Sequence, residues 1–289
     1  MKILWIVIVC LLITSVIPAQ RVHIGLFGGV SAYNGDLVEK PFPKDGSHGA
    51  VGVSLNYEVS DRIMIRGGFT YGVVGGSDKY NKDPELVKRN LSFKTSITEL
   101  SVIGEYYLQN LYERTYSPYI FGGLAVFRFN PYTYDQNNNQ IFLKPLSTEG
   151  QGLPGYPNRK PYSLTQAAIP FGGGVKIALN DRIRIGLEVG LRKTFTDYLD
   201  DVSSLYADPN DLLAAKGQLA VDISYRGDEL TGGEPQYPVK GWTRGGEKHK
   251  DIFYFTGLHL TYKLGASRGG GLFGKGRGKN GYGCPTVPL

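Results

Sequence analysis

Apolar and polar residues alternate strictly between positions 182 and 196. Ile183, Ile185, Leu187, Val189 and Leu191 share one parity, and Arg182, Arg184, Gly186, Glu188, Gly190 and Arg192 share the other. A period of two is the side-chain period of a β-strand, so this segment predicts a strand with one apolar and one charged face. The pattern recurs at 50–59, 62–73, 95–108, 167–179 and 252–264. Segments 24–33 and 118–129 carry apolar residues on both parities, and their Gly-Gly pairs point to tight curvature or close backbone approach. The total is eight strands, an even number and the smallest common closed barrel.

Connection lengths sort the possible barrels. Ser60-Asp61 and Asn180-Asp181 are hairpin-sized turns, and 109–117 is a moderate link. The other connections, 34–49, 74–94, 130–166 and 197–251, are long and alternate with the compact ones. Extended loops at one mouth and compact turns at the other are the plan of a membrane barrel. The expected fold is therefore all-β: an eight-stranded antiparallel up-and-down transmembrane β-barrel with four long extracellular loops, both termini lying at the periplasmic mouth.

The charged parity then faces inward. Turning Arg184 and Arg192 toward lipid would cost about 2–4 kcal/mol each near the bilayer midplane. Inside, they can meet Glu188 on their own strand and Glu58, Glu99 or Glu105 from others, with Arg66 and Lys176 in the same interior. A bore this narrow favours a structural network of ion pairs and tyrosine hydroxyls over an ion pathway.

Composition agrees with a β architecture. Glycine supplies 40 of 289 residues, about twice its average usage, without a collagen period. Such a content is unfavourable for helix bundles. The net charge of +6 is modest. At the N-terminus, Lys2 precedes an apolar run from Ile3 to Leu12, and Ala19 closes the segment. That is the layout of a cleavable export signal over 1–19, with an uncleaved anchor as the other reading. Residues 20–264 form the expected outer-membrane barrel, and 265–289 a basic, Gly-rich, flexible periplasmic tail.

The tail carries Arg268, Lys275, Arg277 and Lys279 without an acidic residue, with Leu272-Phe273 as an apolar anchor. A protein partner that orders it, anionic headgroups, or a simply loose end all fit. Nucleic acid does not suit a periplasmic tail. After removal of Cys10 with the signal, Cys284 is the remaining thiol, available for an intermolecular disulfide or merely spare. Asp197, Asp200 and Asp201 could ligate calcium, but their spacing matches no EF-hand-type loop. A solvated acidic loop with a short helix at 209–216, capped by Asp208 or Asn210, is expected there. His23, His48, His249 and His259 are scattered, and no serine–histidine–acid set can be placed at either mouth. The expectation is a non-enzymatic protein with no metal, cofactor or small-molecule substrate.

The stretches FGGLAVFRFNPYTY (121–134) and LTQAAIPFGGGVKIALNDRIRIGLEVGLRKTFTDYLDDVS (164–203), with a glycine-basic tail ending near Cys-Pro, resemble the PorG family. The resemblance implies an outer-membrane component of the type IX secretion system of Bacteroidetes, some of whose relatives serve gliding motility. It implies docking of a periplasmic ring of the PorK–PorN type, no enzymatic activity and no role as the translocation pore. Under that reading Cys284 could pair with a ring subunit. The alternative is a general structural or adhesin-type barrel acting through its external loops.

Overall fold

The computed structural model describes residues 21–38, 46–230, 232–233, 236–246 and 250–264; the expected export signal and the tail lie outside the described residues. The strands are β1 (Val22–Asn34), β2 (Ser47–Ser60), β3 (Ile63–Ser77), β4 (Ser92–Tyr107), β5 (Tyr116–Tyr134), β6 (Gln140–Phe142), β7 (Thr165–Ala178), β8 (Ile183–Thr194) and β9 (Ile252–Lys263). Each long strand pairs antiparallel with the next, and β1 pairs with β9, which closes an eight-stranded barrel. The short β6 only extends the upper edge of β5, through Tyr132↔Phe142 and Tyr134↔Gln140. All eight expected strands are present, and several run further: β3 reaches Ser77 and β5 reaches Tyr134, into stretches expected as loop.

Side-chain direction follows the parity. Leu55, Val102, Leu124, Leu187 and Leu258 are exposed on the outer wall, whereas Arg66, Glu99, Lys176 and Glu188 are buried in the lumen. A contiguous exposed apolar band of this kind marks a surface made for lipid. Among the described residues no helix is long and apolar enough to cross a membrane.

At the upper end the long connections fold into a cap. It contains the helices α1 (Pro84–Arg89), α2 (Pro209–Lys216) and α3 (Gln218–Ser224). Asp208 caps α2 by accepting from the Asn210 amide, with Pro209 in the first turn. Leu143, Leu146, Leu199, Val202, Ala220 and Ile223 from the cap join Phe127, Phe129, Phe253 and Phe255 of the upper lumen in one apolar cluster. The lower lumen has its own, around Met64, Ile103, Tyr107, Tyr119 and Phe121.

The Gly-Gly pairs mark close approaches. Gly29 pairs with Gly257 across the β1–β9 seam, and a Cβ on Gly257 would lie 2.5 Å from the Gly29 Cα. Around Gly28, one residue away, there is open space. We therefore expect Gly257→Val to lower the folded fraction, by overpacking worth about 1–3 kcal/mol, and Gly28→Val to be tolerated. Heat-modifiable electrophoretic mobility after refolding into detergent micelles reads both.

Candidate functional site

The lumen is filled by paired charges in tiers. Near the lower mouth, Arg184 of β8 donates to Glu58 of β2 at 2.6 Å. The Tyr112 hydroxyl, from the β4–β5 turn, also donates to Glu58 at 2.6 Å, and Lys263 Nζ donates to that hydroxyl at 2.5 Å. Arg184 and Lys263 stand over the Tyr112 ring, 5.3 and 4.9 Å from its centre. The turn thus lays an aromatic ring across the mouth, and His23 Nε2 approaches Glu58 from β1 at 3.4 Å.

Higher up, Lys176 of β7 donates to Glu105 of β4 at 2.9 Å and to the Tyr107 hydroxyl at 2.6 Å, while that hydroxyl donates to Glu105. Arg66 of β3 grips Glu188 of β8 with two hydrogen bonds, 2.8 and 3.1 Å, and touches Glu105 at 3.2 Å. Tyr119 donates to Glu188 at 2.7 Å, and His259 lies 3.3 Å from it. In the top tier Arg192 of β8 donates twice to Glu99 of β4, both at 3.2 Å.

All eight charged residues expected in the interior, Glu58, Arg66, Glu99, Glu105, Lys176, Arg184, Glu188 and Arg192, are buried there. One expected pairing is not formed. Glu188 lies four residues from both Arg184 and Arg192, about 13 Å of strand at the usual rise, and Arg66 takes its carboxylate from across the lumen instead. Four carboxylates face four cations in this set, and Lys263 joins Glu58 at the lower mouth as a fifth cation. The cavity left among Arg66, Ser101, Glu188, Arg192 and His259 measures about 20 Å³, room for about one water.

The acidic stretch of the β8–β9 connection departs from expectation. Asp197, Asp200 and Asp201 are buried, not solvated. The cap folds back over the mouth and gives each of them partners, although Asp197 Oδ1 is left without one among the described residues. Tyr162 and Thr148 donate to Asp201 at 2.6 and 2.5 Å, and the Ser203 hydroxyl donates to Asp197 at 2.8 Å. The Tyr33 hydroxyl lies 2.5 Å from Asp200 and 3.0 Å from Asp251. One hydroxyl hydrogen cannot serve two carboxylates, and burial pushes both Asp200 and Asp251 well above the usual carboxylate range. Burial likewise raises Asp197 and Asp201 to about 6. Among the described residues no group of three or more His, Cys, Asp or Glu has the arrangement of a metal site.

Two further pairs hold the cap. Glu149 accepts from Arg244 at 3.0 Å and from the Ser203 and Ser204 amides at 2.9 and 3.0 Å. Arg89, at the end of α1, donates twice to Asp78, both at 2.7 Å. Sequence reasoning missed these, and missed Tyr112 and His23; only His23, on the inward parity of β1, left a readable signal. The expected partner-binding residues Arg268, Leu272, Phe273, Lys275, Arg277, Lys279 and Cys284 lie outside the described residues.

The Glu99–Arg192 pair gives a direct energetic test. Arg192→Met leaves a buried carboxylate without its cation and should destabilise the barrel by about 3–5 kcal/mol, whereas Glu99→Leu with Arg192→Met should be near neutral. Urea unfolding in lipid vesicles measures both; a single variant as mild as the double would deny the pair its role.

A closed antiparallel barrel with an apolar exterior and a charged, internally paired lumen is a transmembrane barrel of the outer-membrane type. Among solved structures, the chain is similar to Neisserial surface protein A, with 9% identity and a TM-score of 0.42 over 84% of this chain and 97% of that one. It is also similar to OprG from Pseudomonas aeruginosa, with 9% identity and a TM-score of 0.40 over 85% and 98% of the two chains. The Ail protein of Yersinia pestis is similar at 7% identity and a TM-score of 0.38, over 84% and 97%. No curated protein sequence matches the chain. A family model described as "Domain of unknown function (DUF6089)" matches residues 2–146, just over half of the sequence, and the chain belongs to that family.

Proposed function

We propose that this barrel is a non-enzymatic outer-membrane anchor of a type IX protein secretion system, holding a periplasmic ring of the PorK–PorN type. The anchor part rests on one observation above all: the lumen is occupied by charge pairs and aromatic rings, with a cavity of only about 20 Å³ among them. A barrel so filled suits attachment better than conduction. The secretion part rests on the resemblance of 121–134 and 164–203 to the PorG family. The short turns lie at the lower mouth, where β9 ends and where a ring would sit; the basic tail that follows β9 in the sequence lies outside the described residues.

A second reading has support of its own. The described parts of the external connections form a packed cap with two apolar clusters, an outer surface suited to adhesion. The two readings separate in one experiment. Removing 266–289 should release the ring proteins from the barrel on affinity purification from native membranes, without lowering its membrane level. Unchanged co-purification would shift the docking role to the periplasmic turns, and purification without any ring protein would favour the adhesin.

A further inference from the structure

The spanning strands distribute their charges unevenly between the two walls. Their four carboxylates, Glu58, Glu99, Glu105 and Glu188, are all buried in the lumen. Lys94, Arg128 and Lys193 instead fall on the outward parity of β4, β5 and β8, and all three sit toward the upper ends of those strands. A cation on the lipid wall is tolerable near an interface, where its long stem lets the charge reach the headgroups. Three cations without an outward carboxylate favour anionic headgroups in the upper leaflet.

One of the three lines a cavity. Between the upper ends of β2, β3, β4 and β5 lies a concavity of about 370 Å³, lined among others by Ser47, His48, Ser77, Tyr80, Lys94 and Tyr134. Gly75 of β3 pairs with Lys94 of β4 and keeps it open. A Cβ on Gly75 would lie 2.8 Å from the Phe93 carbonyl oxygen of the paired strand, 3.2 Å from Lys94 Cγ and 3.4 Å from His48 Cε1, so a side chain here would press on β4 as well as on the space between Lys94 and His48. Lys94 Nζ stands 5.9 Å from the centre of the Tyr134 ring. Tyr132 packs beside Tyr134 and Phe142, with ring centres 5.8 and 6.1 Å apart, so the cavity sits within a belt of aromatic rings. Such belts mark the headgroup level of a membrane barrel.

We propose that this rim cavity binds the phosphorylated headgroup of a lipid in the outer leaflet. The Lys94 ammonium supplies the charge, the Ser77 hydroxyl, whose oxygen already accepts from the Lys79 amide, supplies its hydrogen to a phosphate oxygen, and Tyr80 and Tyr134 flank the remainder of the headgroup. Gly75 is a positioning residue: it provides the room. The inference needs the transmembrane orientation but not the secretion role.

The test uses the purified full chain in dodecyl maltoside micelles, a neutral host, with native mass spectrometry as the readout. Diphosphoryl lipid A, its dephosphorylated counterpart and sodium phosphate are the probes. Diphosphoryl lipid A should be retained more tightly than the dephosphorylated form. Lys94→Gln should weaken retention about fivefold, the worth of one surface charge near anionic lipid, Lys94→Arg should restore it, and Gly75→Val should weaken it by filling the cavity. Lys216→Gln, on the exposed end of cap helix α2, should leave retention unchanged. Heat-modifiable mobility certifies that each variant is folded, and the lysine variants decide the matter alone if Gly75→Val is not. Equal retention of both lipids, or wild-type retention by Lys94→Gln, overturns the proposal. Displacement of the lipid by sodium phosphate at matching concentration overturns it in favour of free phosphate.

Discussion

Each carboxylate on the spanning strands meets a cation contributed by a different strand, Glu58 with Arg184, Glu99 with Arg192, Glu105 with Lys176 and Glu188 with Arg66. The rest of the barrel depends on this cross-lumen pairing. A buried charge without a partner is strongly destabilising, and one turned to acyl chains is little better placed. A slip of one residue in any strand register would exchange the two walls. The pairs therefore hold the register as well as the lumen. Eight strands make a bore narrow enough for arginine and glutamate from opposite walls to meet directly.

The two ends extend the same logic. Below, the β4–β5 turn brings Tyr112 over Arg184 and Lys263, so the lowest charges keep a polar partner while an aromatic ring covers them. Above, the external connections bury their own acids under Tyr33, Tyr162 and Arg244 and continue the aromatic packing of the upper lumen. The result is a cylinder occupied along its length and structured at both mouths. The proposed anchoring of a secretion ring would use the lower face of this cylinder.

Much of this was legible in the sequence because lipid and lumen impose opposite demands on alternate residues. The strict alternation in 182–196 placed Arg184, Glu188 and Arg192 on one wall, and the structure puts all three in the lumen. Partner identity was not legible. Parity says which wall a residue faces, but the curvature and stagger of the closed sheet decide that Glu188 meets Arg66 of β3 and not its neighbours on β8. The cap was the largest gap. Asp197, Asp200 and Asp201 looked like a solvated acidic turn, since local composition carries no trace of Tyr33 and Tyr162 arriving from distant segments. Asp208 before Pro209 did carry a local signal, and the helix it announced begins there.

The direction in which the two parities face is the claim on which every other statement stands. Fluorescence quenching by brominated acyl chains measures it most directly. Refolded into vesicles from residue 20 in a Trp242→Phe background, the chain carries a single tryptophan at a chosen site. At Leu100, on the outer wall, Leu100→Trp should be strongly quenched; at Phe127, in the lumen, Phe127→Trp should be protected. Quenching of the Phe127 probe with protection of the Leu100 probe would contradict the inside-out barrel.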